Sequence, residues 1–265
     1  MVTGQEKICN RIASLTIDSF PRSLMLVGPR GSGKHLLCTE IAQKFKLLTR
    51  DITKELTLEN IEEMYNRVEP YLYVISINSI SVKEENTILK FLEEPLKNAF
   101  IVLIAETDNG ILQTILNRCQ IWYLQPYKKE FLSTFLTNSN ERILLIADTP
   151  GQVQELTAIN LDEAVGLADK LITKIHMASV SNTLTLVSKV GFKETDNKIN
   201  IQLFVKILLY RFLELSKSTN NNLLVRGYSL TSELSKNLNI KNLDQKLLFE
   251  KYLIELRSCM RGEAK

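Results

Sequence analysis

Ser23-Leu24-Met25-Leu26-Val27-Gly28-Pro29-Arg30-Gly31-Ser32-Gly33-Lys34-His35 is the stretch that decides how this chain is read. A short apolar run ends in glycine, as a buried strand does. The residues after it switch to helical spacing, with Leu36, Leu37, Ile41 and Phe45 recurring between His35 and Phe45. Between the two lies a GxxxxGK frame. Its glycines let the backbone curl so that N–H groups face an anion, the helix N-terminus adds a favourable dipole, and the lysine reaches the β and γ phosphates. Strand, loop and helix occur in the order a phosphate cradle requires. Gly28, Arg30, Gly31, Ser32, Gly33, Lys34 and His35 are therefore the candidate nucleotide-binding residues. The competing reading is a glycine-rich turn with an exposed lysine.

Working outward, Leu58, Ile61, Met64, Tyr65 and Val68 mark an amphipathic helix, and Tyr71 to Ile77 reads as a second buried strand. A helix follows from Glu84 to Leu92, stopped by Pro95, and Phe100 to Ala105 is a third central strand. This alternation predicts an α/β fold with a parallel sheet. Beyond Pro126 the character changes to short helices, around Lys128–Thr137, Glu141–Ala147, Gln152–Leu156 and Leu161–Met177. Three longer helical patterns close the chain, over Asn200–Leu215, Asn222–Asn237 and Leu243–Met260. Ser179 to Thr183 and Lys193 to Asn200 read as polar linkers. The expected layout is a P-loop domain over 1–126, a small helical lid over 127–180 and a helical C-terminal domain over 181–265.

Bulk properties narrow the function classes. A formal charge of +3 on 265 residues is too mild for DNA binding by whole-protein electrostatics, so any nucleic-acid contact needs a local patch. Cys9, Cys38, Cys119 and Cys259 lie far apart with no CxxC pair, which supports neither a zinc site nor a disulfide framework. The opening MVTGQEKICNRIAS has no long apolar run, and no stretch approaches the ~20 apolar residues of a membrane span. These features give the expectation of a cytoplasmic, reduced protein with no membrane partner.

Two departures bear on catalysis. A P-loop places Ser or Thr where His35 stands, because a hydroxyl oxygen ligates magnesium and an imidazole is a poor substitute for a hard ion. His35 read simply as a solvent-facing residue of the first helical turn has the same consequence. An ATPase also needs carboxylates at the end of a neighbouring strand to hold the metal's water shell and position the attacking water. The strand from Tyr71 runs into Asn78-Ser79-Ile80-Ser81-Val82, and no Asp or Glu occurs between Glu69 and Glu84. Hydrolysis by this chain alone is not expected. ATP binding is expected to be weak or vestigial, with magnesium weakly held at best.

Two further stretches carry a resemblance. Asn86-Thr87-Ile88-Leu89-Lys90-Phe91-Leu92-Glu93-Glu94-Pro95 resembles the N-x-L-L-K-x-L-E-E-P signature of bacterial clamp loaders, and Ile111-Leu112-Gln113-Thr114-Ile115-Leu116-Asn117-Arg118-Cys119-Gln120 resembles their I-L-P-T-I-L-S-R-C-Q segment. Asp148-Thr149-Pro150-Gly151-Gln152-Val153 is similar to the element that opens a lid helix in the delta-prime family. The resemblance covers roughly residues 1 to 160. It implies an AAA+ fold with a nucleotide-binding domain, a helical lid and a helical collar through which subunits form a hetero-oligomeric ring.

The implied partners are ATPase subunits of the tau or gamma type, a delta-type subunit, primed DNA and, indirectly, a sliding clamp. Arg118 stands where the family's arginine reaches into the ATP site of the neighbouring subunit; a surface arginine capping a strand end is the plainer reading. Glu93 and Glu94 end a helix and receive no chemistry. Gln152 lies near the position where hydrolysing relatives carry an arginine that senses the γ-phosphate. Arg22 and Lys83 are the basic residues considered for DNA, and neither is assigned to it. The family's cysteine-rich module is missing, since only Lys46 to Thr57 separates two helices, and a strand or two is expected to be lost with it. An ATP-hydrolysing clamp-loader motor subunit and a small-molecule P-loop kinase are the competing functions.

Overall fold

A computed structural model describes the chain except residues 1, 66–67, 95–97, 138–139, 192–198, 220 and 264–265. Two compact units are present, Met1–Phe131 with Thr149–Gly151, and Leu132–Asp148 with Gln152–Lys265. In the first unit the elements run α1 (Glu6–Ser14), β1 (Ser23–Val27), α2 (Lys34–Phe45), β2 (Leu48–Asp51), α3 (Leu58–Tyr65) and β3 (Tyr71–Ser76). They continue with α4 (Val82–Glu93), β4 (Ala99–Ala105), α5 (Gln113–Leu116), β5 (Gln120–Tyr123) and α6 (Lys129–Leu132), which ends one residue into the second unit. The sheet is parallel throughout, in the order β2-β3-β4-β1-β5. The α/β class with a parallel sheet followed by helices is therefore the one the molecule has.

Strand periodicity builds two cores, one on each face. Met25 and Val27 of β1, Tyr73 and Ile75 of β3, and Ile101 and Leu103 of β4 point one way, onto Ile61 and Met64 of α3 and Ile88 and Phe91 of α4. Leu24 and Leu26, Leu72 and Val74, and Phe100 and Val102 point the other way, onto Ile8 and Ile12 of α1 and Leu37 and Ile41 of α2. With both faces covered, the central strands are continuous apolar runs. Fully burying one such side chain contributes about 1.5–3 kcal/mol.

The second unit holds α7 (Arg142–Ile146), α8 (Pro150–Ala158, whose first two residues group with the first unit), α9 (Leu161–Lys174), α10 (Val180–Leu184), α11 (Ile201–Ser218), α12 (Asn222–Asn237) and α13 (Gln245–Met260). Two-residue strands β6 (Val190–Gly191) and β7 (Ile199–Asn200) pair in parallel. Helix α11 is the hub. Its residues Leu203, Phe204, Ile207, Leu208 and Phe212 are all buried, the apolar coverage expected of a helix packed on several sides.

Two expectations are corrected. The 46–57 segment keeps a strand, because Leu48–Asp51 pairs with Tyr71–Val74. Ser179 to Thr183 is a capped helix start, not a linker: Ser179 is the N-cap of α10, its hydroxyl accepting from the Asn182 N–H at 3.1 Å, and the Thr183 hydroxyl donates back to the Ser179 carbonyl at 2.9 Å. Pro95, and most of the linker read at Lys193–Asn200, lie outside the described residues.

Every thiol is held above its ordinary pKa, mainly by burial. Cys38 is the clearest case, 2% exposed and pushed up to about 12, with the charge of Asp51 adding to the effect. Thiolate is the reactive species, so Cys38 is expected to react with iodoacetamide at pH 8 about a thousandfold more slowly than an ordinary cysteine. Mass spectrometry after a timed pulse measures this. Labelling of Cys38 in the folded protein at the rate of a free thiol would contradict the packing described.

Candidate functional site

The candidate cradle begins where β1 leaves the sheet. The Gly28 N–H donates to the Ala105 carbonyl at 3.1 Å, and the Leu124 N–H donates to the Val27 carbonyl at 2.8 Å. The loop therefore emerges between β4 and β5 at the C-terminal edge of the sheet. Gly31 and Gly33 have φ of 77° and 86°, a left-handed backbone that costs glycine little. Gly33 is the N-cap of α2 and has no side-chain capping bond, so the start of that helix retains donors and a dipole suited to an anion.

Lys34 is 7% exposed, so a turn with an exposed lysine is excluded. Its ammonium is turned into its own loop, donating to the carbonyls of Gly28 at 2.5 Å and Pro29 at 2.9 Å and to the Ser32 hydroxyl at 3.4 Å. Burial lowers its pKa to about 8, while the negative charge of Glu106 acts in the opposite direction.

Other carbonyls of the loop are held from outside it. The Tyr127 hydroxyl donates to the Ser32 carbonyl at 2.8 Å, the Thr149 hydroxyl to the Arg30 carbonyl at 2.8 Å, and the Gly151 N–H to the Gly31 carbonyl at 3.0 Å. Gly151 approaches so closely that a Cβ there would meet the Gly31 Cα at 2.5 Å. The bare start of α2 fits phosphate oxygens. The position after Lys34 does not fit magnesium, because His35 is exposed and offers nitrogen where a hydroxyl oxygen is needed.

At the end of β3 the chain makes a 3₁₀ turn over Ile77–Ser79, and the Asn78 side-chain oxygen accepts from the Glu106 N–H at 2.9 Å. Asn78 thus fastens the end of β4. The strand order exposes an omission in the sequence reading: β4, not β3, lies beside β1, and the residue after β4 is Glu106. An acid on that strand end acts electrostatically on Lys34. Its signal was the unbroken apolar run Phe100–Ala105 followed at once by Glu106.

Arg118 does not join this cluster. It precedes β5, whose Gln120 pairs with Leu24 and whose Tyr123 pairs with Val27. The arginine is therefore at the N-terminal edge of the sheet and the phosphate loop at the C-terminal edge, with roughly 10 Å of strand between them. Its guanidinium donates to the Thr114 carbonyl at 2.9 Å and to the Glu93 carboxylate at 2.6 Å, and the arginine side chain is 35% exposed.

The remaining singled-out residues have structural surroundings. The Gln152 side-chain oxygen accepts from the Asp148 N–H at 2.9 Å and from the Lys206 ammonium at 2.7 Å, and Lys206 also pairs with the Asp148 carboxylate. The Arg22 guanidinium lies over the Phe100 ring, 4.6 Å from its centroid. On β5 of the first unit, Trp122, which is not among those residues, is buried and packs edge-on against Phe20. Among the described residues no group of three or more His, Cys, Asp or Glu is placed to hold a metal ion, and no helix is long and apolar enough to cross a membrane.

Residues 50–128 match the family model described as DNA polymerase III, delta subunit. The chain is 29% identical over 109 residues to the DNA polymerase III subunit delta′ of Bacillus subtilis, covering 40% of this chain and 33% of that protein. It is 31% identical over 91 residues to the subunit delta′ of Haemophilus influenzae, covering 34% of this chain and 27% of that protein. The matched stretches thus span about a third or less of these curated relatives. A solved DNA polymerase III gamma-subunit-related protein from Thermotoga maritima aligns over 97% of this chain and 100% of its own, at 16% identity and a TM-score of 0.46. The model match contains both the Glu93 and the Arg118 stretches, and the resemblance they carry is thereby shown: this chain is similar to the delta-prime subunits of bacterial DNA polymerase III.

Proposed function

We propose that this chain is a non-hydrolysing clamp-loader subunit of the delta-prime type, which presents Arg118 to the ATP site of a neighbouring ATPase subunit. In this reading residues 127–180 act as the lid and 181–265 as the collar of a hetero-oligomeric ring that loads a sliding clamp onto primed DNA. The reading is carried by one observation: the stretch that matches the DNA polymerase III delta-subunit model, residues 50–128, holds both the Glu93 and the Arg118 motifs.

The position of Arg118 supports the same reading. A guanidinium at the sheet edge opposite its own P-loop serves a triphosphate only in another subunit, where it stabilises charge developing on the transferred phosphoryl group. His35 in place of a hydroxyl and Asn78 at the end of β3 agree with a site that does not turn over. ATP binding at Gly28–His35 is proposed as weak or vestigial, through the backbone donors and Lys34 after the ammonium leaves its carbonyls.

The purified chain is expected to release phosphate from ATP no faster than buffer does, and to co-elute with the gamma- or tau-type and delta-type subunits of its source. Steady release that is abolished by Lys34→Ala would instead favour an ATP-hydrolysing motor subunit, the reading to which Glu106 lends its carboxylate. Failure to co-elute would remove the assembly role.

A further inference from the structure

We propose that Glu93 is the positioning residue for Arg118, holding the guanidinium in the orientation in which it meets the neighbour's triphosphate. This inference rests on the trans role proposed for Arg118. It gives a function to an acid that the sequence reading treated as the end of a helix.

Local structure does not call for a carboxylate at this place. Glu93 is the last residue of α4, and a helix C-terminus carries partial negative charge that disfavours an anion. The guanidinium of Arg118 answers that charge from across the fold, 25 residues later in the chain, at 2.6 Å. A second anchor comes from the i−4 carbonyl, that of Thr114, which accepts from the other terminal nitrogen at 2.9 Å.

The two anchors take one N–H from each terminal nitrogen. Of the five donors on a guanidinium, three remain for a partner. Holding a long side chain at two points removes rotamer freedom before the neighbour arrives, so less ordering is left to pay for at the moment of reaction. The two sequence stretches that carry the family resemblance thus meet at a single ion pair.

Exposure separates this role from a structural one. The arginine side chain is 35% exposed and the glutamate 50%, and an ion pair so wet adds little to stability. Once a neighbouring subunit excludes water from the same pair, the attraction strengthens and the orientation it imposes becomes firm. Loss of Glu93 therefore leaves the free chain unchanged and acts only in the assembly.

The test is ATP turnover by the complete complex, reconstituted with Glu93→Ala, Glu93→Gln, Arg118→Ala and the double variant Glu93→Ala with Arg118→Ala. Glu93→Ala is expected to lower kcat about tenfold with KM for ATP unchanged, and Glu93→Gln, which keeps an acceptor oxygen, to fall between it and the native chain. In the double variant the loss should equal that of Arg118→Ala alone, because a positioning residue has nothing to position once its arginine is gone. Additive losses in the double variant would overturn the proposal, as would turnover by Glu93→Ala that is unchanged or faster while Arg118→Ala is slow. Loss of co-elution by Glu93→Ala would make the residue an assembly contact and overturn it too. A normal rate for Arg118→Ala would remove the trans role itself, and the positioning role with it.

Discussion

Arg118→Ala is expected to reduce ATP turnover by the assembled complex at least about a thousandfold at the site this chain serves, the scale at which a finger supplied in trans acts in related phosphoryl transfers. The same substitution is expected to leave the isolated chain intact, since the pair it breaks is half-exposed and worth about 1 kcal/mol or less. Arg118→Lys should recover little, because an ammonium presents a point charge in place of a planar fork. Single-turnover phosphate release from complexes containing each variant, with thermal melts of the free chains, makes both measurements. A complex with Arg118→Ala that turns over within twofold of the native rate would remove the role.

The second large effect is on the helical unit. Gly227 of α12 faces Phe212 of α11 so closely that a Cβ there would lie 2.5 Å from the ring Cε1 and 2.9 Å from Cζ, and Phe212 is fully buried. The Gly227 carbonyl accepts from the Thr231 hydroxyl at 2.7 Å, and that hydroxyl is 2.8 Å from the Tyr252 hydroxyl on α13, so three helices are joined at one place. Overpacking a core costs about 1–3 kcal/mol per offending group, and leucine adds several carbons where one does not fit. Gly227→Leu is expected to lower the urea midpoint of the helical unit sharply and to abolish co-elution with partner subunits. Adding Phe212→Ala, itself costly by about 3–5 kcal/mol as a cavity, is expected to rescue part of the loss in the Gly227→Leu background because the two changes share one space. An unchanged midpoint for Gly227→Leu would show that the helices separate there at no cost.

The central strands were readable because burial on both faces leaves only apolar residues, so Leu24–Val27 and Leu72–Ile75 stand out from their surroundings. The phosphate loop was readable because its glycines answer a local backbone demand. Strand β2 was not: Leu48-Thr49-Arg50-Asp51 sits at the edge of the sheet, largely exposed, and only pairing with β3 makes it a strand. Composition misled at Ser179–Thr183, where serine and asparagine serve a helix start as readily as a linker. Helix α1 (Glu6–Ser14) went unread although Ile8 and Ile12 are spaced for one face.

The acid beside Lys34 was missed for a different reason. Chain order runs β3 then β4, and nothing local reveals that β4 is the one inserted next to β1. The Glu93–Arg118 pair, too, exists only after folding brings the end of α4 to the residues before β5. Pattern shows which segments are buried; neighbours across a parallel sheet are decided by topology.

That topology has a price during synthesis. Strand β1 finds its partners only in β4 and β5, so Leu24 to Val27 must leave the ribosome and wait until residues 99–105, and then 120–123, have followed. At about 5–20 residues per second the wait lasts several seconds, with an unpaired greasy segment open to other nascent chains. Messages cut short before β4 are therefore expected to yield aggregates, whereas those reaching past β5 can close the sheet.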